Sequence, residues 1–278
     1  MRRIQTPRSA GLRDEKQQSL THDTHAAMTL ALLFSGASLL QACSRYVALP
    51  WLARRHRQAL LEPCLLVVTA HPDDETLFFA PALVEGRTHV LCLSDGGYDG
   101  LGATRTRELA VAAHMLGISA EVASHPDLPD SPSVRWRAKT VSDAVRTCIK
   151  RRRQPVTALL TFDEQGVTQH INHIDTARGV CTPASGAPVF ALVTVPWWLR
   201  FAGPFAAVLV ALAALASARV RTWSTARPGD RVVCVSRDFG RRAAQCMKAA
   251  HVSQLTWFRR LYVATSAYLY VCVFVRVV

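Results

Sequence analysis

Five consecutive residues, His71-Pro72-Asp73-Asp74-Glu75, place one imidazole and three carboxylates directly after the apolar run Cys64 to Ala70. A buried strand that runs into such groups carries side chains that are costly to desolvate to the edge of the core. The arrangement suits a metal ion at a strand end, where open α/β sheets hold their ligands. His71 and Asp74 are three apart, and so are His170 and His173 in Gln169-His-Ile-Asn-His-Ile-Asp175. Residues three apart share one face of a helix. Either pair alone is weak, because acidic residues at a helix start also serve its cap and dipole. Two pairs, each just beyond an apolar strand-like run, converge if their strands are neighbours. Three N/O ligands with an open position make a hydrolytic zinc site. Bound zinc lowers the pKa of water to about 7 and so supplies a nucleophile at neutral pH. His and Asp ligands also suit iron or manganese.

The elements that position these groups alternate. Residues 64–70, 88–94 and 156–162 read as strands. Residues 75–83, 104–116 and 134–152 read as helices, with Leu109, Ala112, Ala113 and Leu116 on one face of the second. This rhythm predicts an α/β fold, Rossmann-like, with a mostly parallel sheet and helices on both faces. The glycine-rich loop Asp95 to Gly102 matches neither GxGxxG nor a Walker pattern, and reads as a turn that lets backbone approach a ligand. A second His-Pro-Asp at 125–127 lacks the following carboxylate and reads as a loop. No GxSxG elbow is present, which disfavours serine hydrolysis.

The chain has 278 residues and a formal net charge of +13. Its basic residues flank apolar segments and are not interleaved with aromatics, which favours an anionic membrane surface over nucleic acid as partner. Residues 26–44 are uncharged, and as a helix would span roughly 28 Å, about one hydrocarbon core. A cleaved signal peptide is the competing reading. The segment is long for that, starts late and lacks a small-residue cleavage site before Arg45, so a retained membrane anchor helix is expected. Arg45, Arg54, Arg55 and Arg57 follow it and point the C-terminal side to the cytosol. The expected layout is a flexible tail over 1–25, the anchor over 26–44, a basic linker over 45–63, and a catalytic core over 64–200. An apolar segment over 201–218 and the C-terminal part of the catalytic domain over 219–278 complete it. A third apolar stretch, 261–275, is short for a span. The eight cysteines form no CxxC pair and fit free thiols in a cytosol-facing domain.

With these residues in view, the chain resembles the PIG-L type N-acetylglucosaminyl-phosphatidylinositol de-N-acetylases. The likeness runs through Ala70 to Pro81, Leu91 to Arg105, Glu108-Leu109, Leu116-Gly117-Ile118 and Leu128 to Pro132. It continues through Thr161 to Val167, His170 to His173 and His251 to Tyr262, so it covers roughly residues 64–270 in order. The resemblance implies His71, Asp74 and His173 as ligands of Zn2+ or another divalent transition metal. It implies Asp73 as general base and His170 as the group that polarises the carbonyl or protonates the leaving amine. Glu75 is left to the helix start. Arg105, Asp130 and His251 are expected at the substrate, a phosphatidylinositol glycolipid. The activity implied is acetate removal from its N-acetylglucosamine, early in GPI-anchor synthesis, at the endoplasmic reticulum membrane with the catalytic domain facing the cytosol. Competing readings are a deacetylase of another N-acetylglucosaminyl conjugate and a silent membrane protein with a relic site. The sequence departs from the family at Gln169, where glycine is usual, and at Val252 and Ala267, where arginine is usual. If His251 helps build the site, a single crossing at 201–218 would separate it from Asp73. That run is therefore expected to be interfacial or re-entrant.

Overall fold

The computed structural model describes residues 35–55, 64–182, 186–216, 220–222, 224–238 and 240–278. The expected tail, residues 26–34 of the expected anchor and 56–63 of the linker lie outside them. Residues 35–43 are helical and belong to a compact unit separate from Ser44–Val278. No helix among the described residues is long and apolar enough to cross a membrane.

The second unit is a mixed α/β fold around one seven-stranded sheet. Its strands are β1 (Leu65–Thr69), β2 (Thr88–Cys92), β3 (Ser119–Val122), β4 (Ala158–Phe162), β5 (Val189–Leu192), β6 (Arg231–Val235) and β7 (Val271–Arg276). They lie in the order β3-β2-β1-β4-β5-β7-β6. The first five are parallel, and β7 runs antiparallel to both neighbours. Strands β1, β2 and β4 are buried at every residue, and apart from Thr88 and His89 at the start of β2 and the threonines of β1 and β4 their residues are apolar. Chain order reverses between β1 and β4, and the crevice beyond that switch point is where such sheets bind ligands.

The helices of this unit are α1 (Leu49–Arg55), α2 (Asp74–Leu77), α3 (Gly102–Leu116), α4 (Ala138–Arg151), α5 (Gly166–Gln169), α6 (Ile171–Val180), α7 (Trp197–Arg200), α8 (Gly203–Ala216), α9 (Arg241–Ala249) and α10 (Trp257–Thr265). The helix expected over 75–83 stops at Leu77, and a 3-10 turn over Ala80–Ala82, with Pro81 in it, takes its place. The helix expected from Val134 starts at Ala138. Before it, the Trp136 N–H donates to Asp175 Oδ2 at 2.8 Å and its indole to Pro129 O at 2.9 Å, which holds the backbone out of the helix. Helices α4 and α6 touch at Gly179, where a Cβ would stand 2.3 Å from Val141 Cβ.

Within the apolar run at 201–218, Gly203–Ala216 form α8. It buries Gly203, Pro204 and a row of alanines, and leaves Leu209 and Leu212 exposed. The stretch at 261–275 divides between α10 and β7, because its last part is a β-branched and aromatic run that pairs with both β5 and β6.

Candidate active site

The loop after β1 is folded back by its own carboxylates. Asp74 Oδ2 accepts from the Ala70 N–H (3.1 Å) and the His71 N–H (2.8 Å), and Glu75 Oε2 accepts from the Asp73 N–H at 3.1 Å. Asp73 is left at φ 123°, a conformation that non-glycine residues rarely adopt and that concentrates at functional sites. Its side chain thereby faces a cavity of about 450 Å3, lined also by His71, Asp74, Arg105, Asp130, His170 and His173.

His71, Asp74 and His173 come together although a hundred residues separate their segments. His71 Nδ1 lies 3.8 Å from Asp74 Oδ2, and His173 Nε2 lies 3.3 Å from Asp74 Oδ1. Donors about 2.0–2.1 Å from a tetrahedral ion stand roughly 3.3 Å apart, so this spacing fits a divalent cation. Ligand atoms of His71, His170 and His173 also lie within 4.8 Å of one another, which puts His170 at the rim of the same set. The outer contacts orient the donors. His173 Nδ1 donates to Gly166 O at 3.0 Å, which turns Nε2 toward Asp74, and Phe162 stacks on the ring at 4.1 Å and 1°. His71 has Asp74 Oδ2 3.8 Å from Nδ1 and Asp130 Oδ1 3.1 Å from Nε2, so Nδ1 faces the side shared with Asp74 while Asp130 can take the Nε2 proton. Burial opposes ionisation of Asp74, but His173 and then His71 outweigh it and hold the carboxyl low. It is thus an anion ready for a cation.

Asp73 has the opposite balance. Burial raises its pKa, against the lowering effect of Arg259 and then Arg105. Their guanidiniums stand 3.4 Å from Asp73 Oδ2 and Oδ1 respectively. Asp73 Oδ2 makes no hydrogen bond, and its contact with Arg259 is an ion pair. Removing the Arg259 charge raises Asp73 further. A base must be deprotonated to act, so Arg259→Ala is expected to move the acid limb of the kcat/KM profile to higher pH. A limb that stays in place would remove Asp73 from that role.

The other expected residues divide. Arg105 is buried and holds the loops together. It donates to Pro72 O and Gly96 O, both at 3.0 Å, and meets Asp130 at 3.4 Å. The glycine-rich loop serves this contact, since a Cβ on Gly96 would stand 2.5 Å from Arg105 Cζ. Backbone does approach a group there, but the group is this chain's own guanidinium. His251, expected at the substrate, is fully buried, does not line the cavity, and meets Glu75 Oε1 at 2.7 Å. Glu75 is equally buried, so the pair is a strut beneath Asp73.

His170 Nδ1 accepts from the Asn172 N–H at 3.2 Å. Burial, then the charges of His71 and His173, lower its pKa to about 4. It is therefore neutral at pH 7 with its proton on Nε2, a hydrogen-bond donor at the cavity. Sequence reasoning assigned no role to Arg259, Asn172 and Tyr262. Arg259 faces Asp73, Asn172 Oδ1 lies 3.2 Å from His71 Nε2, and the Tyr262 hydroxyl is buried without a hydrogen-bond partner at the cavity wall. All three lie inside quoted stretches, and that position was the available signal.

Gln169 is exposed and absent from the cavity lining, so it does not crowd the substrate approach. It sits at φ 62°, in the left-handed region.

The comparisons with known proteins agree with this geometry. Residues 66–183 match the family model described as PIG-L: GlcNAc-PI de-N-acetylase. A probable N-acetylglucosaminyl-phosphatidylinositol de-N-acetylase of Schizosaccharomyces pombe is 31% identical over 77% of this chain and 86% of its own length. The Bos taurus N-acetylglucosaminyl-phosphatidylinositol de-N-acetylase is 32% identical over 73% of this chain and 79% of its own. This chain belongs to the PIG-L family. The crystal structure of an antimicrobial pseudoaglycone deacetylase shares the PIG-L chain's fold, with a TM-score of 0.50 at 16% identity over 77% of this chain and 96% of that one.

Glycine in place of Gln169 would take φ 62° without strain. Gln169→Gly is expected to stabilise the chain by about 0.5–1 kcal/mol in denaturant unfolding, the left-handed penalty less glycine's entropy.

Proposed function

We propose that this chain removes acetate from N-acetylglucosaminyl-phosphatidylinositol, an early step of GPI-anchor biosynthesis. The observation that carries the reading is the convergence of His71, Asp74 and His173 beside Asp73 in one cavity. A divalent transition-metal ion bound there would polarise the acetamide carbonyl and acidify water. His71, Asp74 and His173 would hold it. Asp73, buried but flanked by two guanidiniums, accepts the proton of the attacking water. His170 donates through Nε2–H to the oxygen that gains charge, and the proton on Asp73 passes to the departing amine. Arg105 is occupied by the loops. The inositol phosphate is assigned to Arg200 and Arg259, two cations in the cavity lining. The uncharged residues 26–44 would anchor the chain at the endoplasmic reticulum membrane, and the arginines after them support a cytosolic catalytic domain.

The decisive assay is acetate release from N-acetylglucosaminyl-phosphatidylinositol in vesicles. Release should stop with a chelator and return with zinc. Faster release from a lipid-free N-acetylglucosaminyl conjugate would instead assign a soluble substrate.

A further inference from the structure

The geometry points to the mouth of the catalytic cavity as a docking face for an anionic bilayer, with α7 and α10 seated at headgroup level. This rests on the deacetylase reading for its purpose, though not for its observations. Six large apolar side chains of α7, α10 and the residue after α7 stand in the open: Trp197 (74% exposed), Trp198 (63%), Phe201 (46%), Trp257 (78%), Phe258 (51%) and Leu261 (56%). Four of them, Phe201, Trp257, Phe258 and Leu261, line the cavity together with His71 and Asp73, and Phe201 packs edge-on to Tyr262 at 5.7 Å. The two short helices thus present one patch. The fold can bury a tryptophan, since Trp136 is 4% exposed with its indole bonded to Pro129. Exposed apolar clusters mark interaction sites, and tryptophan is the residue of the membrane–water boundary.

Charge identifies the occupant. Residues 176–278 hold thirteen Lys and Arg against two acidic residues, Asp230 and Asp238. Both acids are engaged locally, Asp230 by the Arg227 N–H and Asp238 by the Arg242 N–H. Arg260 of α10 opens into an adjoining cleft of about 450 Å3 with Arg45, Arg241 and Lys248 and no carboxylate in its lining. Two copies of so basic a surface repel each other, whereas phosphatidylserine-type headgroups attract it and the aromatic side chains settle among them. A bilayer so placed delivers a lipid-borne sugar directly to Asp73.

The test uses the full chain in phosphatidylcholine vesicles containing one quarter phosphatidylserine. An environment-sensitive fluorophore is attached at Trp197→Cys and, as control, at Arg153→Cys, an exposed position at the opposite ends of the strands. The label at 197 should blue-shift and be quenched by lipid-borne nitroxide, while the label at 153 keeps its aqueous spectrum. Aqueous spectra at both positions overturn the proposal, and so does an unchanged response at 197 when phosphatidylserine is left out. Trp197→Ser combined with Trp198→Ser, both outside the cavity lining, should raise KM for vesicle-borne substrate about tenfold. Turnover of a lipid-free analogue should stay within about twofold, because binding to the lipid surface does not enter it. Equal losses on both substrates overturn the docking role. The spectra need no substrate, so their failure is distinct from failure of the deacetylase reading, which appears as no acetate release at all.

Discussion

Asp73→Asn is expected to lower turnover roughly 10² to 10⁴-fold while the metal stays bound. That range corresponds to about 2.7–5.4 kcal/mol of transition-state stabilisation. The amide is isosteric but cannot take a proton from water. Asparagine also tolerates positive φ better than most residues, so the backbone at φ 123° survives the change. The metal stays because Asp74, not Asp73, stands between His71 and His173. His173→Ala should do the reverse at the donor set, removing the imidazole 3.3 Å from Asp74 and with it the metal. Turnover and metal content measured together on both variants separate base from ligand. Full turnover in Asp73→Asn, or full metal content in His173→Ala, would reverse the assignment.

The second large effect is one of stability. His251→Ala should destabilise the domain by about 3–5 kcal/mol, because it leaves Glu75 charged without its counter-ion where neither residue has solvent exposure. For a domain of this size that lowers Tm by about 2–4 °C per kcal/mol. Replacing both partners with apolar side chains should cost less than the single change. The pH dependence has a definite sign. Burial opposes charge on each partner, but each outweighs it for the other, so Glu75 lies below its ordinary 4.5 and His251 above its ordinary 6.5. The Glu75 contribution is present above 4.5 and is lost as pH falls through its lowered folded value. The His251 contribution is present below 6.5 and is lost as pH rises through its raised folded value. Both act in full between those ordinary values. Denaturant unfolding across this range checks the window, and a His251→Ala midpoint equal to that of the parent chain would show that the pair bears no weight.

The same pair shows where sequence reasoning stops. Glu75 reads as helix-start structure from its neighbours, and His251 as a substrate contact from the resemblance. Nothing in the sequence says that two residues 176 positions apart meet. Chain topology brings them together, through α9 and the turn that follows it. Edge elements were equally hard to read. Strand β3 is half exposed and only four residues long, so it lacks the apolar run that marks β1, β2 and β4. The helix boundary at Ala138 depended on Asp175, a residue 39 positions from Trp136.

What the sequence determined by itself is local and chemical. Largely apolar runs become the central strands, because burial on both faces requires them. The carboxylates of His71-Pro-Asp-Asp-Glu75 tie up their own loop's N–H groups, so the strand end is shaped by short-range bonds. The tertiary structure alone decided how the two aspartates differ. Asp74 gains His173 from beyond β4, and Asp73 gains Arg105 from α3 and Arg259 from α10. Adjacent residues of one type are pushed in opposite directions, Asp74 held low and Asp73 raised, because electrostatic environment belongs to the fold and not to the chain.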